Sequence, residues 1–245
     1  VKILLAVKSC HRDAQLKFNQ TIRDTWGKDV KNADLRFFMG QAPPQYSSSQ
    51  GNISSQSSSC LDEIHLPCGD AYLDLPAKTW EILRWALKRG YDFIFLCDTD
   101  TYVVPERMLS SEFYSADYLG HFGGKIGVKD GQQLEMIGEP GDFVLTWAWA
   151  SGGCGYWLSS RAAGIVIKDT PKHWAEDCSI GKALGPSIAN MEIVAKDDYR
   201  YGFNTDGSEM KTEFTSHYCT AGKNRSFDPN WMYQRYNYNS PGLRK

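Results

Sequence analysis

"FIFLCDTDTYV", residues 93–103, decides how this chain is read. Four apolar residues and a cysteine run into two aspartates one residue apart, the pattern of a buried strand whose carboxyl end opens into an active site. Two chemistries want that arrangement. In one, Asp98 and Asp100 hold a divalent cation that grips the diphosphate of a sugar nucleotide. In the other, Asp98 is a nucleophile attacking phosphorus, with Asp100 as its acid/base partner and Thr101 or Tyr102 behind.

The sequence before this strand bears on the choice. "VKILLAV" (1–7) reads as a first strand, and "SCHRDAQLKFNQTIRDTWG" (9–27) as one helix closed by Gly27, with Leu16, Phe18, Ile22 and Trp26 as its apolar positions. "LRFFMG" (35–40) gives a second strand. This β-α-β opening builds a parallel sheet that places ligands at the strands' carboxyl ends. Residues 41–60, serine-rich with two prolines, read as a long loop. "DEIHLP" is a short strand, and "LDLPAKTWEILRWALKRG" (73–90) is the clearest helix, with Asp74 as cap, Pro76 in the first turn and Gly90 past the end.

Beyond Asp100, "GHFGGKIGVKDGQQ" suggests strands and turns. "WAWASGGCGYWLSSRAAGIVI" runs from an aromatic segment through a glycine turn into a helix. The end, "FDPNWMYQRYNYNSPGLRK", shows no usable period, and the chain has no internal repeat.

Composition excludes more than it assigns. The 245 residues suffice for one large α/β domain, and 27 basic against 29 acidic side chains give no general bias toward nucleic acid or membrane. Lys223, Arg225, Arg235, Arg244 and Lys245 accumulate near the C-terminus and read as a solvated tail. No apolar run is long enough to span a membrane. A soluble chain is expected, from a secretory lumen if an anchor has been trimmed, or from bacterial or viral cytoplasm. Seven scattered cysteines do not make a disulfide scaffold; Cys97 reads as a core residue, and Cys60 and Cys68 flank a segment that a bridge would close in an oxidising compartment. N-x-[ST] sequons stand at Asn19, Asn52 and Asn224.

The phosphohydrolase reading, of the haloacid-dehalogenase type, matches the string around Asp98. That motif opens its family, whereas here a complete β-α-β unit precedes it. A glycan-binding module without catalysis is a third class.

Seven further stretches line up together: "IRDTWG" (22–27), "RFFMG" (36–40), "DAYLDLPAKT" (70–79), "CDTDTYV" (97–103), "SGGCGYWLS" (151–159), "EDCSIG" (176–181) and "TSHY" (215–218). In that order they resemble the inverting β-1,3-galactosyltransferase and fringe-like glycosyltransferases. The resemblance implies a GT-A fold, a Rossmann-like mixed α/β sheet flanked by helices in a single domain. Residues 1–105 would form the nucleotide-sugar half and 106–245 the acceptor-binding and catalytic half.

The resemblance also implies roles. Asp100 would ligate Mn²⁺ or Mg²⁺ directly, with Asp98 near the metal or the donor ribose and His217 completing the protein's share of ligands. Asp177 would be the catalytic base that inversion requires opposite the leaving diphosphate, with Glu176 as the fallback. Lys8, Ser9, Arg23, Lys78 and Thr99 would contact the nucleotide, and Gly152 and Gly153 would let the backbone approach the donor sugar. Trp26 reads as structural; Trp147 and Trp149 either stack on an acceptor sugar or fill the core. The implied reaction moves galactose, N-acetylglucosamine or glucose from a UDP-sugar to a hydroxyl of a glycan or other acceptor, one on a nucleic-acid base included, through a β-1,3-type linkage.

Overall fold

The computed structural model describes residues 1–42, 61–122, 124–129, 132–137, 144–202, 210–217 and 229–239. The first part of the chain gives β1 (Ile3–Lys8), α1 (His11–Gln15), α2 (Phe18–Asp24), β2 (Asp34–Met39), β3 (Glu63–His65), α3 (Leu75–Lys88), β4 (Phe93–Asp98) and β5 (Thr101–Val103). Then follow α4 (Pro105–Leu109), β6 (Tyr118–Gly120), β7 (Gly124–Lys129), β8 (Gln132–Ile137), β9 (Val144–Trp149) and β10 (Tyr156–Ser159). The last are α5 (Ser160–Val166), α6 (Glu176–Ala189), β11 (Ala195–Asp197), β12 (Tyr201–Gly202), β13 (Thr215–His217) and α7 (Pro229–Asn239).

Seven strands form the central sheet in the order β11-β6-β10-β4-β1-β2-β3, parallel except for β10, which runs against both its neighbours. Both faces are covered, which is why β1 and β4 read as unbroken apolar runs instead of alternating ones. Leu4, Ala6, Ile94 and Leu96 pack on one face with Trp80 and Leu83 of α3 and Ile180 and Leu184 of α6. Leu5, Val7, Phe95 and Cys97 pack on the other with Ile22, Trp26 and Met232. The chain leaves β1 for β2 on one side and returns to β4 on the other, so the crevice between the ends of β1 and β4 is a topological switch point.

Several sequence expectations are corrected in detail. The helix expected over 9–27 is two short helices, because Lys17 takes a left-handed φ of 65° between them. Leu16 is consequently exposed. Asp74 stands at the N-cap of α3 but makes no capping bond there; its Oδ2 accepts the Ala71 N–H at 3.0 Å. "YWLS" is the buried strand β10, not a mere approach to a helix, and the aperiodic tail contains α7. Gly90 does close α3, with φ +70°. Among the described residues no helix is long and apolar enough to cross a membrane.

Other expectations meet the structure residue by residue. Asn19 is 1% exposed and hydrogen-bonded to Ser9 and Glu63, so its sequon is not an accessible glycan acceptor in this fold. Arg235 is buried on α7 with its guanidinium over the Trp231 ring, and is no part of a solvated basic tail. Trp149 is a core residue beside Cys178. The expected loop over 43–60, the expected Cys60–Cys68 bridge, Asn52, Asn224, Lys223, Arg225, Arg244, Lys245 and the side chain of Trp147 lie outside the described residues.

Candidate active site

The site is assembled at the carboxyl ends of β1 and β4. These strands pair in parallel with Lys8 opposite Asp98, so strand register alone puts a cation beside the first aspartate; Lys8 Nζ stands 3.1 Å from Asp98 Oδ1. The same ammonium also meets Glu176 Oε1 at the start of α6. Burial opposes its charge, but Asp98 and Glu176 outweigh that cost and hold it above the ordinary lysine value.

β13 supplies the histidine. It pairs antiparallel with β5 so that His217 lies opposite Thr101, one residue past the D-x-D. His217 Nε2 then stands 3.2 Å from Asp100 Oδ1, and one ligand atom from each of Asp98, Asp100 and His217 falls within 4.8 Å of the others. Burial lowers the imidazole's pKa and the Asp100 carboxylate raises it by more, leaving it above the usual histidine value. Two carboxylates and an imidazole suit a hard or borderline divalent cation. Adjacent ligands of an octahedral ion, each at about 2.1 Å, lie roughly 3 Å apart, which the Asp100–His217 separation fits. The residues present therefore fit the metal that the sequence implied.

A glycine turn joins this triad to the acids of α6. A Cβ on Gly153 would stand 2.5 Å from the His217 ring, and one on Gly152 would stand 2.6 Å from Glu176 Oε1. Both glycines are thus needed for close approach, against the protein's own side chains. The Gly153 carbonyl accepts the Thr101 hydroxyl at 2.8 Å, and the Gly152 N–H donates to Asp177 Oδ2 at 3.0 Å. The turn therefore touches both groups of the site.

The two adjacent acids meet different environments. Glu176 is 3% exposed, with Oε1 on Lys8 and Oε2 accepting the Tyr156 hydroxyl at 2.6 Å. Burial pushes its carboxyl up while Lys8 pulls it down, leaving it above the ordinary value. Both Glu176 oxygens have partners inside the protein. Asp177, partly exposed, is oriented by the Gly152 and Cys178 N–H groups.

Several of the side chains expected to contact the nucleotide have internal partners. Lys78 Nζ donates to the Ser9 carbonyl at 2.6 Å and to Asp70 at 2.7 Å, clamping the end of β1. Ser9 Oγ donates to Asn19. Arg23 forms a two-pronged pair with Asp62, also reaches Glu63, and lies over the Phe37 ring. Thr99 donates to Asp13 Oδ2 at 2.7 Å. Asp13 and Tyr156 were missed from sequence. The position of Asp13 in the segment just after a parallel strand was a usable signal; for Tyr156 there was none.

The Galactosyltransferase family model matches residues 18–116, a segment that contains both aspartates of the D-x-D. No curated protein gives a significant match. Among solved structures, the galactosyltransferase LgtC in complex with donor and acceptor sugar analogs aligns with a TM-score of 0.50 at 11% identity, covering 98% of this chain and 96% of that chain. A glycosyltransferase involved in glycosylation of the major capsid of PBCV-1 aligns at 0.44 and 9% identity, covering 91% and 95% of the two chains. The inositol-1-phosphate CTP transferase from T. maritima aligns at 0.45 and 8%, covering 98% and 97%. The LgtC likeness speaks to fold alone. The chain has the fold of the GT-A glycosyltransferases and, over residues 18–116, resembles the galactosyltransferase family.

Proposed function

We propose that the protein is a metal-dependent, inverting hexosyltransferase that moves galactose, N-acetylglucosamine or glucose from a UDP-sugar to an acceptor hydroxyl, forming a β-1,3-type linkage on a glycan. The observation that carries this reading is the glycine turn, which contacts His217 through Gly153 and Asp177 through Gly152. It sets a partly exposed carboxylate beside a cluster of metal-binding character, as displacement at an anomeric carbon requires.

Asp98, Asp100 and His217 would hold Mn²⁺ or Mg²⁺. When bound, the ion would neutralise the diphosphate's charge. Asp177 accepts the acceptor hydroxyl's proton while that oxygen bonds to the anomeric carbon from the face opposite the departing UDP oxygen. Lys8 and Glu176 hold the two sides of the site in place and do not themselves react. Lys78, Ser9 and Arg23 shape the donor half. In this reading residues 1–105 bind the nucleotide sugar and 106–245 the acceptor, within one catalytic domain.

The test is a UDP-release screen across UDP-sugars with Mn²⁺ and with EDTA. Release from at least one UDP-hexose, abolished by the chelator, is expected. No release from any UDP-sugar, together with phosphate release from small phosphoesters, would overturn the reading in favour of a phosphohydrolase acting through Asp98.

A further inference from the structure

Three large side chains next to the site are left open to solvent: Trp174 is 59% exposed, Tyr72 66% and Leu73 73%. The two aromatic rings face each other with centroids 6.3 Å apart at an interplanar angle of 43°. Both come from segments fastened around the end of β1. Tyr72 follows Asp70, whose carboxylate takes Lys78, and Lys78 also holds the Ser9 carbonyl. Trp174 precedes Ala175, the N-cap of α6, and Lys8 ties the first residue of that helix to β1. Asp177 is three positions beyond Trp174.

The segment carrying Trp174 is held by specific bonds. His173 N–H donates to Ser179 Oγ at 2.9 Å, the Ser179 hydroxyl donates back to the His173 carbonyl at 3.0 Å, and Ala175 N–H donates to His173 Nδ1 at 3.0 Å. The His173 ring lies 5.4 Å from that of Trp174. An indole mostly in water on a segment whose backbone is held this way has little to gain from the fold, and much to offer a ligand.

We propose that Trp174 and Tyr72 form an acceptor subsite that stacks on the apolar face of a pyranose, presenting its hydroxyl to Asp177. The inference rests on the glycosyltransferase reading and names the side chains that would hold its sugar acceptor. Size favours this occupant. Three side chains fall far short of the roughly 800 Å² per partner of a stable protein interface, whereas an aromatic pair matches one or two sugar rings.

The test uses the whole protein with methyl β-galactoside, methyl β-N-acetylglucosaminide and methyl α-N-acetylgalactosaminide as probes. One of them is expected to change tryptophan emission saturably and to accept sugar. Trp174→Ala should then raise its KM about ten-fold, the loss of one well-placed aromatic contact, while kcat moves far less. Tyr72→Ala should act in the same direction, and Trp174→Phe should recover most of the affinity. Unchanged KM in both alanine variants, or a wild-type protein whose emission no glycoside alters, would overturn the subsite. So would a change of oligomeric state in light scattering with no change in KM. Failure of UDP release in the wild type strikes instead at the parent reading, and the emission titration still reports whether the patch binds sugar.

Discussion

Gly153→Ala isolates the geometry of the histidine without touching any ligand. The added Cβ would lie 2.5 Å from Cε1, 2.6 Å from Nδ1 and 2.7 Å from Nε2 of His217. Favourable contact between such atoms needs about 3.5 Å, so the ring must retreat by roughly 1 Å or rotate. Gly153 is not among the described glycines with positive φ, so alanine brings no backbone strain and the effect is steric. A displaced ring loses its 3.2 Å approach to Asp100. Perturbing a residue that positions a ligand costs about 10–100-fold in metal affinity, and that is the expected loss of Mn²⁺ affinity here. Isothermal titration with Mn²⁺ in the presence of UDP measures it. Gly152→Ala is the comparison, since its Cβ meets Glu176 and not the imidazole. Wild-type Mn²⁺ affinity in Gly153→Ala, in a protein that melts normally, would refute the claim that His217 is held against Asp100 to share a metal.

Further outcomes follow from the same contacts. Asp177→Asn should retain UDP and Mn²⁺ binding yet lower transfer about 10²–10⁴-fold, read as kcat against an accepted sugar. Lys8→Met leaves the buried Glu176 and the adjacent Asp98 without their shared cation, and should cost about 3–5 kcal/mol in urea unfolding. The Asp70 side chain is 2% exposed, which works against its charge, but Lys78 and the His11 and Gly40 N–H groups outweigh this and hold its carboxyl below the ordinary aspartate value of 3.8. The depressed value means Asp70 contributes stability that is present above pH 3.8 and lost as pH falls through its folded pKa. Asp70→Asn should therefore be less stable at neutral pH, and its stability should fall less steeply on acidification below that value.

The parts of this fold that the sequence made legible are those governed by local pattern. The apolar run of residues 93–97 and the facing apolar positions of 75–87 report burial directly, because one strand is covered on both sides and one helix on a single side. Legibility stopped where partners are distant in sequence. The neighbouring acids Glu176 and Asp177 differ because Lys8 and Tyr156 enclose only the first, and no local spacing encodes that. His217 reaches Asp100 through the antiparallel pairing of β13 with β5, and a family resemblance located it where periodicity could not. The helix α7 escaped detection because its buried face, Trp231, Met232 and Arg235, includes an arginine that masks the apolar period. Lys17 broke the first helix in a stretch without glycine or proline to signal it.

The central claim is spatial: one cation site made by Asp98, Asp100 and His217, facing Asp177 across the Gly152–Gly153 turn. An anomalous difference map from crystals grown with Mn²⁺ and UDP tests it most directly. The account predicts a single strong peak bridging Asp100 and His217, with the diphosphate on its open side and Asp177 across the space left for a hexose. A peak on other residues, or a diphosphate bound away from this cluster, would contradict it.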